Sequence, residues 1–226
     1  MHEMSPRFRA VIFDLDGVLA DSEPWWNQID AKLLAEYGVT YRGEHHGNVL
    51  GVSYRLAVEF YKDAFHISAS TQEMMRRRGE IATDFFAARV GLFPSTKETL
   101  KELRQMKLCL AVGTSSVGAS ARPFLDRTGI RSFFDVIVTG EEVQRGKPDP
   151  DIYILVADKL QMGAEVCLVI EDALSGVAAA KEANMQVAAI PDKRFVDACK
   201  YEKKADYVLR DLAEIPALVR RVGAAE

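Results

Sequence analysis

The stretch AVIFDLDGVLADSE, Ala10 to Glu23, runs from four apolar residues straight into two carboxylates separated by one residue, with a glycine behind them. An apolar run that ends abruptly on charge reads as a buried strand, Ala10–Phe13, with Asp14 and Asp16 just past its carboxyl end. Two neighbouring negative charges at a strand end are unfavourable unless something cationic binds there. The pair therefore calls for a metal ion or for a proton shared between the two acids.

Outward from this strand the same grammar repeats. Leu108–Val112, Val136–Val138, Val166–Ile170, Val187–Ile190 and Tyr207–Leu209 are further strand candidates, and helical patterns such as Lys97–Met106 and Asp149–Gln161 separate most of them. Near-continuous Val/Ile/Leu strands alternating with helices imply an α/β fold: a Rossmann-like parallel sheet with right-handed crossovers and helices on both faces. Residues 21–90 break the alternation. Trp26, Ile29, Leu33 and Tyr37 recur at helical spacing, as do Ile81, Phe85 and Ala88, and no strand pattern interrupts them. The expectation is a small helical domain at 21–90 inserted into a core built from 1–20 and 91–226. GLFPST, Gly91 to Thr96, marks the return, where Pro94 breaks the chain and Ser95 or Thr96 can cap the next helix.

With 226 residues, 48% of them hydrophobic, the chain is long enough for one sizeable core plus a small second domain. Its net charge of −4 comes from 29 basic and 33 acidic residues spread along the sequence, and the longest basic block, Arg76-Arg77-Arg78, reads as a solvated helix face. Nothing in this points to nucleic acid, and small molecules are the expected partners. Three cysteines show no metal-ligand spacing; Cys109 and Cys167 sit in apolar runs as small buried thiols, in keeping with a reducing compartment. MHEMSPRF at the start has no apolar signal core, and no window holds the about 18 apolar residues of a membrane span. A cytoplasmic monomer is expected.

Four polar stretches fall at the carboxyl ends of the predicted strands, where ligands bind in open α/β sheets. They are Asp14-Leu15-Asp16-Gly17, Gly113-Thr114-Ser115-Ser116, Gly146-Lys147-Pro148 and Glu171-Asp172. Asp14, Asp16, Glu171 and Asp172 make an all-oxygen site for a hard cation such as Mg²⁺, which keeps coordination positions for water and substrate phosphate. The Thr114 hydroxyl and the backbone N–H groups of the turn through Ser115 and Ser116 suit phosphate oxygens, and Lys147 supplies a compact positive charge. In that setting Asp14 can act as a nucleophile towards phosphorus and Asp16 as the acid and base that serves the leaving oxygen and the attacking water. Taken singly, each of these residues reads as a turn, cap or loop residue; the odds reverse only when all four stretches meet in one crevice. Glu171-Asp172 also have a second reading as caps of the helix beginning near Ala173, and Asp149 and Asp151 read as turn and cap residues.

DLDGVLADSE, GTSS, GKPDPDIY and IEDALSGV, in this order, resemble the four motifs of the haloacid dehalogenase superfamily, in the branch of β-phosphoglucomutase and small sugar-phosphate phosphatases. The resemblance runs from about Arg9 to about Leu212. It implies that Asp14 is the nucleophile, Asp16 the acid/base and a magnesium ligand through its backbone carbonyl, Thr114 a phosphate-binding hydroxyl, Lys147 the charge-stabilising lysine, and Glu171 and Asp172 the metal-holding acids. It also implies that the insertion is a cap that closes over the substrate, with hinges near Asp21 and Gly91.

A mutase of that branch is expected to carry a histidine soon after DS and a Lys-Gly pair followed by Ser-Arg. The corresponding positions here look like Trp26, Leu50-Gly51 and Ser53-Tyr54-Arg55, so the histidine and lysine are absent. The expectation is a Mg²⁺-dependent phosphatase of a small phosphorylated metabolite, a sugar or polyol phosphate, working through an aspartyl phosphate. A β-phosphoglucomutase-type mutase is the alternative. A dehalogenase needs neither Asp16 nor the metal-holding acids, and a phospho-accepting signalling module has no large insertion. Substrate choice is expected from the cap, with Glu23, Trp26, His45, His46, Asn48 and Arg55 as candidates. His45 and His46 read first as exposed loop residues, and Trp25 and Trp26 first as cap core.

Overall fold

The computed structural model describes residues 8–42, 45, 49 and 54–223; the expectations placed on His46, Asn48 and the stretch 50–53 fall outside them. β1 (Ala10–Phe13) has no side chain exposed to solvent. Val11 and Phe13 point to one face of the sheet and Ala10 and Ile12 to the other, each joining a different apolar cluster. Burying each larger side chain contributes about 1.5–3 kcal/mol.

β4 (Cys109–Gly113), β5 (Val136–Val138), β6 (Cys167–Glu171), β7 (Gln186–Ala189) and β8 (Tyr207–Val208) complete the main sheet, each within one residue of its predicted bounds. The order is β5-β4-β1-β6-β7-β8, and every pair is parallel. The fold is thus α/β and Rossmann-like. β1 lies between β4 and β6, and the chain builds outward from it on one side before returning to build on the other. That topology opens a crevice at the carboxyl end of β1.

Helices cover both faces. α4 (Thr96–Gln105), α5 (Gly118–Thr128) and α8 (Ile215–Gly223) pack on the Phe13 side, α6 (Asp151–Leu160) and α7 (Leu174–Glu182) on the Ile12 side. Two two-residue strands were not foreseen: β2 (Ala20–Asp21) and β3 (Gly91–Leu92) pair antiparallel, tying together the two places where the helical segment leaves and rejoins the sheet.

Between them the described residues form α1 (Glu23–Glu36), α2 (Tyr54–Ala64) and α3 (Thr71–Ala88), and no strand. α3 starts at Ser70, whose hydroxyl accepts from the Glu73 N–H at 3.1 Å. Its Met74, Ile81, Phe85 and Phe86 face inward, packing on α1, α2 and the core helix α5. Phe86 meets Phe124 edge-to-face at 5.6 Å, and Arg127 of α5 donates to the Phe86 and Val90 carbonyls. No helix among the described residues is long and apolar enough to cross a membrane. Cys109, Cys167 and Cys199 are all free thiols, the last of them exposed.

Candidate active site

β1 delivers Asp14 to the centre of the crevice. Its backbone N–H still belongs to the sheet, donating to the Ile170 carbonyl at 2.9 Å, while its side chain is buried beyond the strand. Lys147 reaches the same point from the loop after β5. Its buried Nζ donates to Asp14 Oδ1 (2.5 Å), Glu171 Oε1 (2.7 Å) and the Gly113 carbonyl (3.1 Å), so one ammonium ties β1, β4 and β6 together. Tyr153 of α6 donates its hydroxyl to the same Glu171 oxygen, and the other oxygen accepts from the Asp172 and Ala173 N–H groups. Glu171 is therefore held from all sides, but neither it nor Asp172 caps α7: its contacts are to Asp172 and Ala173, ahead of the first helical residue, and α7 has no side-chain cap.

Two glycines make this crowding feasible. Gly17 has φ +76°, and a Cβ there would lie 2.0 Å from Asp172 Oδ2; a Cβ at Gly176 would overlap the Glu171 carboxylate. Asp16 Oδ2 accepts from the Ser116 hydroxyl at 2.7 Å, whereas its Oδ1 is buried and has no hydrogen-bond partner among the described residues. Thr114 is fully buried, and its Oγ1 accepts from the Ser116 N–H at 3.0 Å, folding the GTSS turn back on itself.

The charges are unbalanced. Burial pushes Asp14 from the ordinary 3.8 up to about 7; Lys147 pulls against this, and the negative charges of Glu171 and Asp16 add to it. Burial likewise raises Asp16, with the Ser116 hydrogen bond opposing, and raises Asp172 well above 3.8 with help from Glu171 and Asp14. Lys147 stays charged despite burial because Asp14 and Glu171 outweigh the loss of solvent. Oxygens of Asp14, Glu171 and Asp172 lie within 4.8 Å of one another with Lys147 as their one buried counter-charge among the described residues. An all-oxygen cluster with surplus negative charge, one member of it accommodated only because residue 17 is glycine, fits a hard divalent cation.

These groups open on a cavity of about 130 Å³, room for on the order of ten waters. Asp14, Asp16, Thr114, Ser115, Ser116, Lys147, Glu171 and Asp172 all line it, together with Glu23 and Trp26 from the predicted cap set. His45 and Arg55 do not. His45 packs edge-on against Tyr41 and Phe65, with its Nδ1 accepting from the Arg42 N–H, and Arg55 is exposed and paired with Glu59 one turn along α2.

The reading of Arg76-Arg77-Arg78 as a solvated face needs correction. Arg76 is exposed and Arg77 half-buried, but Arg78 is buried, pairs with Asp30 and lines the cavity. Its place could have been read from the phase of α3: Arg78 lies four residues after Met74 and three before Ile81, inside the apolar stripe. Asp30 and Tyr153 likewise sit on the buried faces of their helices, among apolar residues.

Residues 11–190 match the model of the haloacid dehalogenase-like hydrolases. The chain is 35% identical over 177 residues to a phosphorylated carbohydrates phosphatase of Thermotoga maritima, spanning 78% of this chain and 82% of that one. Hexitol phosphatase B of Escherichia coli K12 is 28% identical over 216 residues, 92% of this chain and 94% of its own. Among solved structures, a candidate beta-phosphoglucomutase from Thermotoga maritima superposes with a TM-score of 0.73 at 31% identity, over 95% of this chain and 100% of that one. CbbY from Rhodobacter sphaeroides in complex with xylulose-(1,5)-bisphosphate gives 0.79 at 25% identity, over 92% and 96%. Seen with the site at the carboxyl end of β1, these likenesses mean that the chain belongs to the haloacid dehalogenase-like hydrolase family, as a phosphoric monoester hydrolase.

Proposed function

We propose that the protein is a Mg²⁺-dependent phosphatase of a small sugar or polyol phosphate, with Asp14 as nucleophile and residues 21–90 as the cap over its substrate. The observation that carries this reading is the convergence of Asp14, Asp16, Lys147 and the Glu171/Asp172 pair on one small cavity. Phosphatases of phosphorylated carbohydrates and hexitols among the relatives support the substrate class.

Asp14, Glu171 and Asp172, with the backbone carbonyl of Asp16, would hold the Mg²⁺. When bound, the ion neutralises the clustered acids and the charge on the phosphoryl oxygens. Thr114, Ser115, Ser116 and Lys147 orient the phosphoryl group. A carboxylate oxygen of Asp14 bonds to phosphorus as the bond to the leaving oxygen breaks, and Asp16 gives that oxygen its proton. Water then attacks the aspartyl phosphate, Asp16 takes a proton from it, and the bond between Asp14 and phosphorus breaks to free inorganic phosphate. Asp16 suits both halves: it is half-buried, its pKa is raised, and its buried Oδ1 has no hydrogen-bond partner among the described residues. Trp26 stands where the mutases of this branch are expected to carry histidine, and it packs with Arg78 in the cap, which favours hydrolysis over phosphoryl transfer to a second sugar position.

Phosphate release from a panel of sugar, polyol and nucleoside monophosphates, with Mg²⁺ and with chelator, tests this reading. Glucose 1-phosphate is scored in parallel for conversion to glucose 6-phosphate. Mg²⁺-dependent release concentrated on a few esters is expected; isomerisation without release would replace the phosphatase by a mutase.

A further inference from the structure

Part of the cavity wall is built on an ion pair that the hydrolytic chemistry does not use. Arg78 of α3 donates through Nε and Nη2 to the two oxygens of Asp30 of α1, at 2.6 and 3.0 Å, and Tyr61 of α2 donates its hydroxyl to Asp30 Oδ2 at 2.8 Å. The pair therefore fastens together α1, α2 and α3, the helices of the segment among the described residues. The guanidinium carbon lies 4.5 Å from the Trp26 ring centre and 4.6 Å from that of Tyr54, and the two rings stand nearly perpendicular at 78°. Two hydrogen bonds and two aromatic contacts fix the group. No described residue accepts a hydrogen bond from its Nη1. Arg78, Asp30, Trp26 and Tyr54 line the same cavity as Asp14 and Lys147.

The cavity's cationic lining residues, among those described, are Lys147 and Arg78, and each is already paired with acids. A second phosphate or a carboxylate on the leaving group would meet an Arg78 whose charge is already neutralised by Asp30, and would lose its hydration for little electrostatic return. A hydroxyl has no such cost, can accept from Nη1, and leaves the C–H edges of a polyol against the aromatic rings.

We propose that Arg78, neutralised by Asp30, selects substrates whose leaving group is an uncharged polyol and turns away those carrying a second anion at that end. This rests on the phosphatase reading above and narrows it. The pairing with Asp30 is what makes the difference, since an unpaired arginine at the same place would attract a second anion.

The test compares kcat/KM within matched pairs, with Mg²⁺ present: glycerol 3-phosphate against 3-phosphoglycerate, and fructose 1-phosphate against fructose 1,6-bisphosphate. p-Nitrophenyl phosphate serves as the probe of phosphatase chemistry itself. The wild-type protein is expected to favour the uncharged member of each pair by about tenfold or more, a discrimination within reach of one buried polar wall. Asp30→Asn should move that ratio towards the anionic member by about tenfold. Because this variant exposes a buried arginine charge to folding failure, Arg78→Lys provides a second measure. It keeps a cation opposite Asp30 but removes the forked donor, and should raise KM for glycerol 3-phosphate about tenfold. If the wild type hydrolyses p-nitrophenyl phosphate but takes the anionic members as well as the neutral ones, the inference falls and the phosphatase reading stands. If p-nitrophenyl phosphate and all four esters are inert, both fall.

Discussion

Asp14 and Asp16 are two residues apart, and the structure gives them different surroundings. Asp14 is bonded to Lys147 and clustered with Glu171 and Asp172, whereas Asp16 is turned to Ser116 and keeps one buried oxygen without a described partner. Different surroundings mean different roles. Asp16→Asn should lower kcat by about 10² to 10⁴, the usual worth of a general acid/base, with much less effect on KM; steady-state kinetics on the preferred ester would show it. Gly17→Ala tests the support beneath the acids. Both its φ of +76° and the 2.0 Å approach of Asp172 Oδ2 oppose a Cβ, so the variant should lose about 1 kcal/mol or more in urea unfolding and require more Mg²⁺ for half-maximal activity. An alanine variant as stable and as Mg²⁺-sensitive as the wild type would show that Asp172 can move aside freely. At this scale Asp14, Asp16 and Thr114 were legible because they follow directly on apolar strands, and Lys147 because its Gly-Lys-Pro stretch comes after the next strand and a short loop. Tyr153 and Asp30 were not, because a single polar residue on a buried helix face leaves no local pattern.

The elements that carry the site divide into those with a periodic signal and those without. β1 and its neighbours announced themselves through runs of Val, Ile and Leu that no helix of similar length would need. The β2–β3 ribbon gave none, since two residues per strand are too few for a period, and only the closing of the chain between Asp21 and Gly91 shows it. α3 lies between these cases: its stripe was visible, but the basic triplet drew attention to charge rather than phase. Three consecutive arginines on a helix span about 200°, so phase decides which of them is solvated, and here Arg78 falls in the stripe of Met74 and Ile81. α3 also offers a control for separating fold from chemistry. Ser70→Ala removes the hydroxyl that accepts from the Glu73 N–H and should cost about 1 kcal/mol in urea unfolding while leaving kcat/KM at its wild-type value. A large loss of activity in this variant would mean that the position of α3 is far more sensitive to its cap than its packing on α1 and α5 suggests.

The whole molecule places one charged crevice where its parallel sheet reverses direction of growth, and the cost of that crowding appears in its titration. Asp14, raised from 3.8 to about 7, binds more protons folded than unfolded between those values. Without a cation its contribution to stability therefore falls as pH rises through that window. Mg²⁺ needs the same carboxylates deprotonated, so the rise in Tm that it produces should be small at pH 5 and clearly larger at pH 8. Equal shifts at both pH values would place the ion elsewhere. The parallel sheet with an interrupting helical segment could be read from alternation alone. Which wall of the cavity each residue of the helical segment would face could not, because that depends on how α1, α2 and α3 pack around Asp30. Replacement of Asp14 by Asn tests the central claim most directly, with phosphate release measured under saturating Mg²⁺ on the best ester of the panel and on p-nitrophenyl phosphate. The account predicts that Asp14→Asn folds with the same circular dichroism as the wild type and releases no phosphate above the uncatalysed rate. Sustained turnover by the folded variant would contradict it.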